Sequence, residues 1–567
     1  NRVDFQKKRR CEKMAPIDPD AVHPLLPTPY RFTNGTATLR VDPGRFAFAL
    51  AAATAPSEVL SAALARYRRI MFAWGSGSSP ATAATTLTDC SVSVANSSDG
   101  SFQLGDDESY SLRVAADADC RLSARTVWGA LRGLETLSQL VEYSPSDRWY
   151  ELRMAPWQID DKPAFVSRGV MVDTARHWLS VPALLRQIDA LAYSRMNTLH
   201  WHASDEDAFP MGSTAFPALA ARGSYASAVG VSAGVYSVAD QEAVVQYARM
   251  RGVRVVLELD LPGHASSWAL ARPDLFVRCG RGPAGDYGGR AWLVDPTLEA
   301  TWRFLGQLIA EFGARFPDRV MHFGGDEVDV RCLNRSASVR AWMREQGATD
   351  LRDVYVHFER RLHAAAAEHG KEVQTWADAF RRVHNASAHG RGPPLPRTAI
   401  AQEWGRWDEA GRAEMAAVVR SGGRAVRSSG FYFDGGYSTG GRATVWEEVI
   451  NAQLVPPGLS AEEESRVLGA EACLWGEVAD ELFLDQKLWL RASVLAERLW
   501  TPHASIAAYC HHKPCSFDNR DLQPRMVKNR CRLVQRGILA QPYNTQIIPD
   551  RSRWQQCELW LPQNWSR

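Results

Sequence analysis

From about residue 166 onward, short runs of strand character alternate with longer stretches whose apolar residues recur every three or four positions. The strand-like segments are 168–173, 198–205, 254–260, 320–325, 372–378, 398–404, 424–433 and 467–475, with helical spacing between most of them, as in 181–194, 240–251, 298–312 and 355–369. Strand then helix, eight times over, predicts an α/β fold of the (β/α)8 TIM-barrel type. An open doubly wound sheet would carry a Gly-rich phosphate turn after its first strand, and Asp173-Thr174-Ala175 is not one. The earlier part is mixed, with helical spacing at 58–74 and 127–141 and a short strand at 112–114. Pro163 and its neighbours mark a boundary. The expected organisation is a smaller α+β accessory domain over 1–165, then a catalytic barrel with a C-terminal extension over 166–567.

Composition narrows the function. The 66 basic and 64 acidic residues nearly cancel, which argues against a nucleic-acid binder that must displace counterions. No run of apolar residues is long enough to span a membrane. The 20 Trp supply flat apolar faces that suit the C–H face of a sugar, although large domains also need aromatics for packing. Residues 1–10 are polar and basic, without the apolar core of a signal peptide. Sequons at Asn34, Asn96, Asn334, Asn385 and Asn564, with ten Cys, instead suggest a mature secretory-pathway protein, whether secreted, lysosomal or of another acidic compartment.

Active sites of barrels lie at the C-terminal ends of the strands. There the chain gathers Asp173 and Arg176, Asp205, Asp260 and His264, Asp326 and Glu327, Trp376 and Asp378, Glu403 and Trp404, Tyr432 and Asp434, Trp475 and Glu477. Carboxylates and indoles without a Cys/His cluster point to sugar chemistry. His200 and His202 alternate on one strand, but no third ligand of suitable spacing follows, so neither metal nor cofactor is expected. In His322-Phe323-Gly324-Gly325-Asp326-Glu327 the paired glycines would let the backbone approach a ligand, and the adjacent carboxylates would raise one pKa, as a general acid requires. Taken alone, an Asp-Glu pair is more often a helix cap.

The segment HFGGDEV resembles the signature of glycoside hydrolase family 20, the β-hexosaminidases. In the same order, RGVMVDTARHWL from Arg168, HWHASDEDAFP from His200, ELDLPGHASSW from Glu258, GAEACLWGE from Gly469 and RASVLAERLW from Arg491 resemble that family too. TVWGALRGLETLSQL from Thr126 and NRCRLVQRGILAQP from Asn529 look most like eukaryotic lysosomal-type members. The resemblance implies an exo-β-N-acetylhexosaminidase that removes terminal β-linked GlcNAc or GalNAc from glycans, with the substrate's own acetamide as nucleophile. It implies Glu327 as proton donor, Asp326 as acceptor of the acetamide N–H and Tyr432 as donor to the acetamide oxygen. Binding roles fall to Arg168 on the 3- and 4-hydroxyls and to Glu477 with Asp434 on the 4- and 6-hydroxyls. Trp376, Trp404 and Trp475 would wall the site, with Asp205 and His264 behind Glu327. Because lysosomal-type relatives dimerise, the resemblance also carries a homodimer.

The chain departs from the family pattern in places. Asp205-Glu206 stands where an Asp-Asp pair is familiar, and 508–523 looks like an insertion. Asp434-Gly435 offers no positive charge where some members place a basic residue for sulfated sugars, so neutral substrates are expected to be preferred. Cys279 and Cys332 fall where the family has a disulfide. Proximity suggests Cys90–Cys120, Cys510–Cys515 and Cys531–Cys557, with Cys473 a buried thiol and Cys11 left over. Two rivals stay open at this point: a two-carboxylate glycosidase with Asp205 or Glu477 as nucleophile, and a sugar-binding protein without catalysis.

Overall fold

The computed structural model describes residues 22–542 apart from 75–84, 145–146, 226–233, 280–291, 406, 435–444, 512–513, 516–518 and 520. Gly435, Cys11, Cys557 and Asn564 therefore lie outside the described residues.

All eight expected barrel strands form: β1 (Ser167–Asp173), β2 (Thr198–His202), β3 (Arg254–Glu258), β4 (Val320–His322), β5 (Glu372–Trp376), β6 (Ile400–Glu403), β7 (Arg424–Arg427) and β8 (Val467–Leu474). They close into one barrel in chain order, β8 pairing in parallel with β1 through Gly469 opposite Ser167 and Leu474 opposite Val172. Most strands stop short of the segments expected from sequence, because the polar residues at their ends leave the ladder and form the loops of the upper rim. Helices such as Val181–Tyr193 and Glu299–Arg315 present apolar faces to the strands, and Ile188, Leu191, Leu305 and Phe312 are buried between the layers.

The accessory unit is a mixed sheet in the order Ala47–Leu50, Asp89–Asn96, Cys120–Thr126, Tyr110–Val114, Trp149–Asp161, Arg31–Val41, Thr86–Leu87. Helices Glu58–Met71 and Val127–Leu140 pack together on it. Thr126 caps the second helix by accepting from the Gly129 N–H. Every residue of that helix is buried, its polar ones included, because it also faces the barrel. Arg132 bridges the two units: Nη2 donates to the Gly252 carbonyl at 2.6 Å and Nε to Glu108 at 2.8 Å.

Cys90–Cys120 and Cys279–Cys332 are disulfide-bonded, as are Cys510 and Cys515, and Cys473 is a buried free thiol. Cys531 is also disulfide-bonded. Within the stretch 508–523, the Cys515 backbone is held on both sides by Asn451, whose amide donates to its carbonyl and accepts from its N–H.

Candidate active site

β4 ends at His322, and the chain leaves the sheet through Gly324 (φ +64°) and Gly325 (φ +95°), a left-handed turn that glycine adopts without strain. A Cβ on Gly324 would lie 1.6 Å from Asp260 Oδ1, and one on Gly325 would lie 3.2 Å from Ala379 Cβ and from Tyr355 Oη. The close approach is thus to protein atoms, not to a ligand as the glycine pair suggested from sequence. Glu327 follows at φ +53°, a conformation that costs a non-glycine residue on the order of 1 kcal/mol or more and that clusters at functional sites. No helix begins at Asp326. The next element is the 3-10 turn Val330–Arg335, capped by Asp329, so the helix-cap role fails.

The carboxylate pair is asymmetric. Asp326 is buried, whereas the Glu327 side chain is 37% exposed. Burial, opposed by His264 and reinforced by Asp378 and Glu327, pushes the Asp326 carboxyl up to about 7. The pair thus contains a raised carboxyl, on Asp326. Asp326 Oδ1 is buried and has no hydrogen-bond partner among the described residues. His264 Nε2 faces both carboxylates, 3.8 Å from Asp326 Oδ2 and 3.6 Å from Glu327 Oε2, while Nδ1 contacts Asp205 Oδ1 at 3.2 Å. Burial pulls the His264 imidazole down, but Asp205, Asp260 and Asp326 outweigh it and hold it well above its usual range. Asp205 also meets Arg176 Nη2 at 2.7 Å and His202 Nε2 at 2.9 Å. Burial pushes its carboxyl up, yet Arg176 and His264 prevail and keep it far below the ordinary carboxylate range. With both oxygens engaged by three partners, Asp205 is a support and not a free nucleophile.

Beside the carboxylates stands an aromatic cluster in which Trp376 and Tyr432 are buried and Trp404 and Trp475 partly so. Trp376 and Trp475 lie 5.7 Å apart, Tyr432 and Trp475 6.4 Å. Each indole has an anchor: Trp376 Nε1 donates to Glu258 at 3.0 Å and Trp404 Nε1 to Asp378 at 2.7 Å, while Trp475 lies under the Arg176 guanidinium, 5.1 Å from its ring centre. Burial raises the Tyr432 phenol well above its usual pKa, so it remains a hydrogen-bond donor.

One expected binding residue is misplaced. Arg168 lies at the start of β1, at the opposite mouth of the barrel, with no exposure. Its Nη2 donates to Glu108 at 2.6 Å, Nε to the Arg195 carbonyl and Nη1 to the Phe165 carbonyl, so its fork holds the two domains together. The arginine at the active rim is Arg176, beyond the C-terminal end of β1. Asp173 fixes it by accepting from the Ala175 and Arg176 N–H groups and from Gly476 N–H. Glu477, two residues past Trp475, reaches solvent at the rim while partial desolvation of its carboxyl raises it against the opposing pull of Arg176. Asp434 is buried, and its backbone carbonyl takes Lys487 Nζ at 3.0 Å.

Below this site the barrel interior is ionic. Glu258 contacts His200 Nε2 at 2.8 Å, His202 Nδ1 at 2.5 Å and His322 Nδ1 at 3.0 Å, besides Trp376; His200 Nδ1 continues to Glu471 at 2.6 Å. Possible ligand atoms of His200, Glu258 and His322 lie within 4.8 Å of one another. The further partners that local spacing around His200 and His202 does not offer are supplied by β3 and β4. Glu258 already serves three imidazoles and an indole, which makes the cluster a brace under Trp376.

Residues 165–503 match glycosyl hydrolase family 20, catalytic domain, and residues 25–140 match a domain described as beta-acetyl hexosaminidase like. The chain is 34% identical over 532 residues to beta-hexosaminidase subunit beta of Sus scrofa, covering 92% of each. It is 32% identical to beta-hexosaminidase 1 of Arabidopsis thaliana, covering 93% of this chain and 92% of that protein. Among solved structures, Flavobacterium johnsoniae chitobiase superposes with a TM-score of 0.74 at 24% identity, over 92% of this chain and 74% of that one. Streptomyces plicatus N-acetyl-beta-hexosaminidase in complex with Thio-NAglucal gives 0.68 at 23% identity, over 94% and 99%. These two likenesses support the fold, and the curated relatives support the chemistry. The chain belongs to glycosyl hydrolase family 20, as an exo-β-N-acetylhexosaminidase.

Proposed function

We propose that Glu327 and Asp326 divide the reaction between them. Glu327, on the exposed side, gives its proton to the glycosidic oxygen as the acetamide carbonyl oxygen bonds to the anomeric carbon. The aglycone leaves as an alcohol, and an oxazolinium ion remains. Asp326 accepts the acetamide N–H and stabilises the positive charge growing there. Tyr432 donates to the acetamide oxygen. Water then attacks the anomeric carbon, breaking its bond to the acetamide oxygen and regenerating the acetamide, loses its proton to Glu327 and restores the β configuration. The observation that carries this reading is the buried Asp326, its Oδ1 without a partner among the described residues, beside an exposed Glu327, with Asp326 Oδ2 and Glu327 Oε2 facing one imidazole. Trp376, Trp404 and Trp475 form the walls, with Asp205 and His264 as support. Arg176 replaces Arg168 as the guanidinium that binds sugar hydroxyls together with Glu477 and Asp434. The boundary between accessory and catalytic domains near residue 165 belongs to the same reading.

Lys487 and Arg491 stand behind Asp434 and donate to backbone carbonyls, and Asp434 also acts on the Arg491 guanidinium. In this reading the substrate's 6-position meets the Asp434 carboxylate. A 6-sulfated aryl glucosaminide is expected to show kcat/KM at least about tenfold below that of the plain sugar, the effect of roughly 1.4 kcal/mol of repulsion. Equal turnover of the two would reject Asp434 as the residue that meets this position. Running galacto and chitobiose-type sugars beside them reads the substrate range. We further infer passage through the secretory pathway, supported by the disulfides and by Asn34, Asn96, Asn334 and Asn385 all being exposed. No helix among the described residues is long and apolar enough to cross a membrane. The family likeness also favours a homodimer.

A further inference from the structure

Helix Leu351–Glu368 lies between β4 and β5 and carries two polar side chains that point inward, behind the catalytic turn. Tyr355 is buried and its hydroxyl donates to the Gly325 carbonyl at 2.5 Å. One turn further on, Glu359 has no exposure, and neither carboxyl oxygen has a partner of full hydrogen-bonding geometry among the described residues. The two groups adjoin: a Cβ placed on Gly325 would lie 3.2 Å from Tyr355 Oη and 3.3 Å from Glu359 Oε1. From helix Ala377–Ala388, Arg382 stacks on the Tyr355 ring at 4.7 Å and donates to the Val328 carbonyl at 3.0 Å. The segment Gly325–Val328 is thus gripped at both ends from behind. A buried carboxyl needs a reason to be there, since an ionised one without partners is costly.

We propose that Glu359 is a positioning residue: as a neutral acid it donates to Tyr355 Oη, which commits the Tyr355 proton to the Gly325 carbonyl and sets the turn presenting Asp326 and Glu327. The role rests on the assignment of those two residues to catalysis. Ionised, Glu359 would instead accept the Tyr355 proton and take it from the Gly325 carbonyl, loosening the turn. Burial, against the weaker opposing effects of Tyr355 and Arg382, moves the Glu359 carboxyl from 4.5 to about 8, so the neutral form holds through the acidic and neutral range. Of the elements packed against this helix, only Ala377–Ala388 brings charge to bear on Glu359, through Arg382; Asp378 of that helix acts on Tyr355.

The test compares full-length wild type with Glu359→Gln and Glu359→Ala, following kcat and KM on an aryl N-acetyl-β-glucosaminide and hydrogen exchange of the peptide 323–328 from pH 5 to 9.5. Gln keeps a neutral donor at every pH. At pH 5 it is expected to match wild type within about twofold, while Ala loses about fivefold or more in kcat with KM little changed. After correction for intrinsic exchange, protection of the turn should fall above pH 8 in wild type and persist in the Gln variant. Parallel exchange profiles in the two proteins, or wild-type kcat in the Ala variant, would overturn the proposal. Should the Ala variant not fold, the Gln profile decides. The exchange measurement does not depend on which residues do the chemistry, whereas intact turnover in Glu327→Gln would remove that assignment and leave the clamp to be judged on exchange alone.

Discussion

Glu327→Gln should lower kcat/KM on an alkyl or oligosaccharide N-acetylglucosaminide by about 10²–10⁴, the usual worth of a general acid. The loss should shrink sharply on substrates whose leaving group departs without a proton, such as a dinitrophenol. That dependence separates an acid from a residue that merely shapes the site, because a damaged site would slow both substrates alike. The geometry supports the acid role in two ways. Glu327 is the more exposed of the pair, so it can reach the glycosidic oxygen and afterwards a water. Its left-handed backbone is sustained by a turn fixed against Asp260 and Tyr355, which holds the carboxyl in place before substrate arrives. A stability loss with unchanged turnover would return Glu327 to a structural role.

Asp326→Asn is expected to cost about 10²–10³ in kcat, since it removes the charge that meets the developing oxazolinium. The same substitution should stabilise the empty enzyme at high pH. The Asp326 pKa in the folded protein is raised from 3.8 to about 7. Its stability contribution is therefore intact below the unfolded value and is lost as the pH rises through the folded one. At pH 8 the native state holds a buried carboxylate that Asn replaces with a neutral amide. The apparent melting temperature at pH 8 should accordingly rise by about 1–3 °C, with a smaller change at pH 4. Unaltered kcat, or a variant less stable at pH 8 than at pH 4 relative to wild type, would contradict this account of the pair.

The barrel was legible because each of its strands is a short apolar run, buried on both faces and followed by a helical stretch. Of the accessory sheet, the short strand at 112–114 was legible and forms within Tyr110–Val114, but its longer strands were not. Arg31–Val41 is exposed over most of its length and carries Asn34, Gly35 and three Thr among its apolar residues, so it lacks a clear alternation. Trp149–Asp161 runs straight into a Pro-interrupted stretch that reads as irregular from sequence. In the site, residues carried by local motifs could be found, with one instructive failure. RGVMVDTARHWL contains both Arg168 and Arg176, and motif likeness alone gave no reason to prefer one. Strand geometry does: at about 3.3 Å per residue, eight positions along a barrel strand carry the chain from one mouth to the other. Since sites lie at C-terminal strand ends, Arg176 was the choice that the fold already favoured. Apart from Asp205, the carboxylates that meet His200 and His202 come from β3 and β8, a convergence that local spacing does not display. Tyr355 and Glu359 belong to an ordinary helical pattern, and only the fold brings them behind Gly325.

The reading turns on a nucleophile that the protein does not supply. Among the candidate carboxylates, Asp205 is engaged by Arg176, His202 and His264. The most direct measurement is kcat/KM across aryl glucosaminides whose N-acyl group is acetyl, fluoroacetyl, difluoroacetyl and trifluoroacetyl. Each fluorine withdraws electrons from the carbonyl oxygen and weakens it as a nucleophile. A steep, monotonic fall along the series is the expected result. Rates independent of fluorine, or equal turnover of the corresponding 2-hydroxy glucoside, would show that a protein carboxylate attacks the sugar instead.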